Sequence, residues 1–185
     1  KMLSEHRELQ ADLFIRGFLV TDKKMNNLEE FPFYGNWKTE EHCGYYFMAH
    51  NLTGMHVYEQ DEKHAFFILG HAYNPFTMEY EESEILPYIA EAYGTGKYMD
   101  RINELTGVFV YGAVIDKKIY FQADPSGMQS ACYGKVGDSF YLSSHAQLIG
   151  DLCNLEMDGF VKELIAYFAD FYQDFRRDAA EEMLD

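Results

Sequence analysis

His64-Ala65-Phe66-Phe67-Ile68-Leu69-Gly70-His71-Ala72-Tyr73 is the stretch on which the fold turns. A strand with one wet face alternates apolar and polar residues, and the run from Ala65 to Leu69 does not. This strand is therefore expected to be central and covered on both faces. Asn74-Pro75 ends it.

Working outward, 44–50 (GYYFMAH) and 55–59 (MHVYE) read as strands separated by Asn51–Gly54. Downstream the texture changes at Ser83, a candidate helix cap. Ile85, Leu86, Ile89, Ala90 and Tyr93 follow it at helical spacing, and Pro87 falls in about the first turn. Gly94-Thr95-Gly96 terminates that helix, and 97–105 predicts a short second one. Strands follow at 107–115, 119–123, 130–136 and 139–143. Asp116-Lys117-Lys118, Asp124-Pro125-Ser126-Gly127 and Gly137-Asp138 supply the turns. Residues 144–152 return to helix, capped by Ser144.

Toward the start, 13–20 (LFIRGFLV) reads as the first strand, after a short helix or irregular arm at 3–12; residues 25–42 read as irregular. The last helix is expected from Asp158 to about Met183. Its apolar stripe is Val161, Leu164, Ile165, Phe168, Phe171, Tyr172 and Phe175. The sum is about seven or eight strands bracketed by three or four helices, an α+β layered fold in one domain over 1–185.

With 15 basic and 31 acidic side chains the formal charge is −16. Nucleic acid and anionic membrane both require clustered cations, so neither is an expected partner. No apolar stretch approaches the ~18 residues that would span a bilayer. Cys43, Cys132 and Cys153 form an odd set without a C-x-x-C pair, which points to neither a disulfide framework nor a zinc ribbon and to a reducing cytoplasm.

Residue types with chemistry are present but scattered. His50 and His56, or His64 and His71, lie too far apart on strands to chelate a metal, so no metal site is expected. Ser143-Ser144-His145 reads as a strand-to-helix junction, since neighbours in sequence do not make a triad. Cys43 beside His42 is the one thiol with a candidate base.

Six segments in register resemble the class II glutamine amidotransferase domain found at the front of asparagine synthetases. Ile68-Leu69-Gly70-His71-Ala72-Tyr73-Asn74 resembles its "NGEIYN" segment, and Glu81-Glu82-Ser83-Glu84-Ile85-Leu86 its "SDTEVL". Ile89–Gly94 and Met99–Val110 are similar to "YEEYG … FLDRLNGMFAF". Ala123–Gln129 resembles "RDPFGIKPLYY", and Phe140–His145 "lyFaSE". The resemblance implies an N-terminal-nucleophile (Ntn) hydrolase fold, a four-layer α-β-β-α sandwich with two mainly antiparallel sheets between helical layers.

The family's chemistry uses an N-terminal cysteine whose thiolate attacks glutamine, and here the resemblance implies loss. Phe14-Ile15-Arg16-Gly17-Phe18-Leu19 is similar to the opening "CGIAGFL" and puts Phe14 at the nucleophile position. Gly70 keeps a backbone oxyanion position, while Leu69 stands where the side-chain donor would be, a loss that typically costs about 2.7–4 kcal/mol. His71 and Glu82 stand at or near substrate-contacting acidic positions, and no arginine occurs at His50-Asn51-Leu52 to grip a carboxylate. The resemblance thus implies an inactive domain without a catalytic residue or metal, partnered with an ATP-dependent, amide-forming synthetase half or with a second copy of itself. ATP and Mg would enter only with that half. The alternative expectation is a stand-alone binding module for a small amino acid or peptide. Its pocket would lie near Gly70, His71, Tyr73, Asn74 and Glu82. Activation of Cys43 by cleavage after His42 would leave too short a spacing to Gly70 for the family layout.

Overall fold

The structure, a computed structural model, describes residues 7–26 and 28–168. Among these, nine strands form two sheets in which every pairing is antiparallel. The strands are β1 (Phe18–Thr21), β2 (Trp37–His42), β3 (Tyr45–His50), β4 (Met55–Asp61), β5 (His64–Tyr73), β6 (Thr106–Ile115), β7 (Lys118–Ala123), β8 (Cys132–Val136) and β9 (Ser139–Ser143). One sheet runs β2-β3-β1-β9-β8 and the other β4-β5-β6-β7. The helices are α1 (Glu82–Glu91), α2 (Tyr98–Asn103), α3 (Ala146–Leu152) and α4, described over 159–168.

The unbroken apolar run of β5 has a simple cause. Ala65, Phe67 and Leu69 face the other sheet, where they meet Phe18 and Val20 of β1 and Phe47 of β3. Phe66 and Ile68 face the opposite way, against Ile85, Leu86 and Ile89 of α1 and Ile102 of α2. Successive side chains of a strand point to opposite faces, so both sides of this one are core. A third apolar cluster covers the far face of the five-stranded sheet. There Leu19, Met48 and Tyr141 pack under Leu148, Ile149 and Leu152 of α3, with Leu28 and Phe33 from two 3-10 turns (Leu28–Glu30 and Pro32–Asn36). The fold is α+β, with two facing antiparallel sheets and helices on the outer face of each.

Several local expectations are corrected. The first strand begins at Phe18, not at residue 13, because Phe14 (φ 56°) and Arg16 (φ 59°) are left-handed and cannot extend a ladder. Trp37–His42, read as irregular, is an edge strand whose solvated face is charged. Glu81, not Ser83, is the cap position of α1, so Pro87 lies inside the helix beyond its first turn. Ser144 does not cap α3. Its hydroxyl accepts the Phe18 N–H at 2.8 Å and tethers the end of β9 to β1.

Asp158 does cap its helix, accepting the N–H groups of Phe160 (2.9 Å) and Val161 (3.3 Å). The apolar stripe of α4 nevertheless stands exposed among the described residues, with Val161 at 40% and Ile165 at 54%. Phe171, Tyr172 and Phe175 lie outside the described residues, as do residues 3–6 of the arm expected at 3–12; its remainder, Arg7–Asp12, is a 3-10 turn. No helix among the described residues is long and apolar enough to cross a membrane.

Candidate functional site

The chain passes between the sheets at 51–54, from β3 to β4, and again at 124–131, from β7 to β8. Both crossings contribute to one cavity of about 270 Å³. Leu52, Thr53 and Gly54 come from the first crossing and Gln129 from the second. Arg16 enters from the turn before β1, and Gly70, His71 and Val108 come from β5 and β6.

The cavity floor is made of backbone in close contact. Gly70 is at φ 110°, and a Cβ there would strike the Val108 carbonyl oxygen; a Cβ on Gly54 would strike the Gly70 carbonyl. The Gly70 N–H donates to the Gly54 carbonyl at 2.8 Å, so it is not aimed into the cavity as an oxyanion donor. The Thr53 hydroxyl is likewise committed, donating to the Gly17 carbonyl at 3.2 Å.

Behind His71 lies the buried carboxylate of Glu82. Glu82 Oε1 accepts the Ala72 N–H at 3.2 Å and lies 3.4 Å from His71 Nδ1, while Oε2 lies 3.6 Å from His56 Nε2. The first residue of α1 thus delivers an acid to the outer face of β4 and β5, and two histidines meet it. The buried carboxyl group is thereby hydrogen-bonded to backbone and flanked by two imidazole rings.

The second crossing is shaped by Asp124. Its carboxylate accepts the N–H groups of Ser126 (3.0 Å), Met128 (3.2 Å) and Gln129 (2.8 Å) and the Ser126 hydroxyl. Burial by itself would push the carboxyl up; the Ser126 hydroxyl and the N–H groups of Gln129, Met128 and Ser126 outweigh it and hold it at about 2. The Gly127 N–H closes the expected β-turn onto the Asp124 carbonyl at 2.9 Å. Gln129 reaches the cavity because this turn is pinned.

The expected pocket residues divide. Gly70 and His71 line the cavity, with Glu82 behind His71. Tyr73 points away and stacks on Tyr80 at 5.8 Å. Asn74 is buried at the 74–79 loop, where its Oδ1 accepts the Phe76 and Thr77 N–H groups and its Nδ2 donates to Glu104. The Phe14 ring packs on Phe33 and His145 at 5.1 and 5.4 Å, away from the cavity. Its neighbour Arg16 lines the cavity instead, beside Leu52, in the segment that lacks an arginine of its own.

Arg16, Leu52 and Gln129 were therefore missed by sequence reasoning. The available signal was a single charge inside the apolar run LFIRGFLV. Cys43 does not use His42 as a base. Its Sγ faces the Asp61 carbonyl at 3.7 Å, and burial, with Glu59 and Asp61 nearby, pushes the thiol up. The His42 ring instead sits 3.1 Å from both Glu40 and Glu59. The Ser144 hydroxyl meets His145 Nδ1 at 2.8 Å but is already engaged with Phe18, and burial pushes His145 down. Among the described residues no group of three or more His, Cys, Asp or Glu is arranged to hold a metal. No protein-family profile, curated protein or solved structure matches the chain.

Proposed function

We propose that the chain is a catalytically inert amidotransferase-like domain of the asparagine synthetase family, serving as the structural partner of an ATP-dependent, amide-forming half. In this reading the facing sheets with outer helices are the four-layer α-β-β-α sandwich of the Ntn-hydrolase type. The observation that carries it is the committed chemistry at the cavity where glutamine would bind. Gly70 N–H and the Thr53 hydroxyl are spent on backbone carbonyls, and Phe14 is packed elsewhere. Support for a partner comes from the exposed apolar face of α4. ATP and Mg belong to the partner half. A cytoplasmic location is part of the reading, supported by three unpaired thiols.

Incubation of the chain with glutamine is expected to release no ammonia above the uncatalysed rate, and release abolished by Cys43→Ala would overturn the inert reading. Intact mass of the protein from its source cells tests the partner. A fused synthetase half predicts a mass two to three times larger than 21.6 kDa, roughly two or three domains of ordinary size. A second reading, a binding module with its own ligand, is favoured by one observation: Arg16 lines the cavity without a partner among the described residues.

A further inference from the structure

We propose that the cavity at the two crossings binds a small apolar monocarboxylate, with the Arg16 guanidinium as its counter-ion. The inference rests on the binding-module reading and adds the chemistry of the ligand. It begins with a charge left over. In a chain of net charge −16, Arg101 is fully engaged: it donates to the Tyr88 carbonyl, stacks over the Tyr88 ring at 4.0 Å and lies 3.5 Å from Glu91. Arg16 has no hydrogen bond or ion pair among the described residues, although 31 carboxylates are present in the chain.

The backbone that presents Arg16 is unusual as well. Left-handed φ angles at Phe14 and Arg16 fold 14–17 into a turn closed by the Gly17 N–H on the Phe14 carbonyl at 2.8 Å. L side chains rarely adopt that conformation, and here it places Arg16 at the cavity rim instead of in the strand.

The surroundings select the ligand. Leu52 (63% exposed) and Val108 (44% exposed) form apolar walls that are open to an apolar body. A volume of about 270 Å³ suits a molecule of amino-acid size. A guanidinium offers a planar fork of N–H donors that matches a carboxylate in two parallel bonds. Phosphate sites instead gather several free backbone N–H groups, and the Gly70 N–H on the cavity floor is taken by the Gly54 carbonyl. The Glu82 carboxylate, 3.4 Å behind His71, further disfavours a dianion.

The test is a titration of the isotopically labelled chain with 3-methylbutanoate, followed by amide resonances, with 3-methylbutanamide as its neutral counterpart. The acid is expected to shift Arg16, Thr53, Gly54 and Gly70 saturably, and the amide to bind at least about tenfold more weakly. Arg16→Gln should lose that discrimination, and Arg16→Lys should retain part of it, keeping the charge without the fork. Both variants should unfold at the parent's urea midpoint, since the Arg16 side chain is exposed and bonds to nothing described. Equal binding of acid and amide, or undiminished binding by Arg16→Gln, overturns the carboxylate inference while leaving a binding module intact. No response to the acid also overturns it. The module reading is then decided separately, by thermal shift with free amino acids and short peptides.

Discussion

Asp124 shows how a single side chain sets a segment of the cavity. Four donors converge on a buried carboxylate, and the loop 124–129 takes its shape from them. Because the folded carboxyl sits at about 2, below the ordinary unfolded value near 3.9, the stabilisation is fully present above about pH 4. It is lost as pH falls from there through about 2. Asp124→Ala should lower unfolding free energy by about 1–3 kcal/mol at pH 7. In urea midpoints measured across acid pH, the gap to the parent should shrink toward pH 2, and a gap that stays constant over that range would exclude the carboxylate's charge as its source. The Asp-Pro-Ser-Gly turn was legible in sequence because proline and glycine set it locally. That the turn delivers Gln129 to a cavity was not, because the other walls are contributed from residues 16, 52–54, 70–71 and 108.

At the scale of elements, helix α1 is held to β4 and β5 by its apolar stripe, with Ile89 fully buried. Ile89→Ala should cost about 2–5 kcal/mol in denaturant unfolding. Glu84→Ala, on the exposed side of the same helix, should cost less than about 1 kcal/mol. Similar losses for the two would contradict the packing described. Elements made of continuous apolar and β-prone runs bounded by turn residues were the ones legible in sequence: the expected bounds of β5 and β9 coincide with the observed ones. Residues 13–17 misled because Leu13, Phe14 and Ile15 are apolar and β-prone. Their side chains pack or stand exposed around a turn, and only left-handed φ angles, which no apolar pattern records, distinguish it from a strand. The opposite error hid β2, whose Lys38, Glu40 and Glu41 carry no apolar alternation. An edge strand needs little burial to pair with β3, and its charges keep other chains from adding to it.

For the molecule as a whole, folding gathers a charge of −16 onto one small surface. Like charges repel more in the compact state than in the expanded chain, and salt screens them. Raising sodium chloride from about 0.02 to 0.5 M should therefore raise Tm by a few degrees, since about 1 kcal/mol corresponds to roughly 2–4 °C at this size. A falling Tm would mean that the attractive pairs, such as Lys63–Asp116, outweigh the repulsion.

The pressed backbone beneath the cavity bears on how its lining can change. Gly54 and Gly70 admit no side chain, so neither drift nor protein engineering can reshape the floor without parting β5 from its neighbours. Variation is open in the walls, at Arg16, Leu52, His71, Val108 and Gln129. A library randomised at those positions therefore varies the cavity lining while the scaffold stays constant. Descendants of this chain would diverge in the lining of this cavity before they diverge in the floor beneath it.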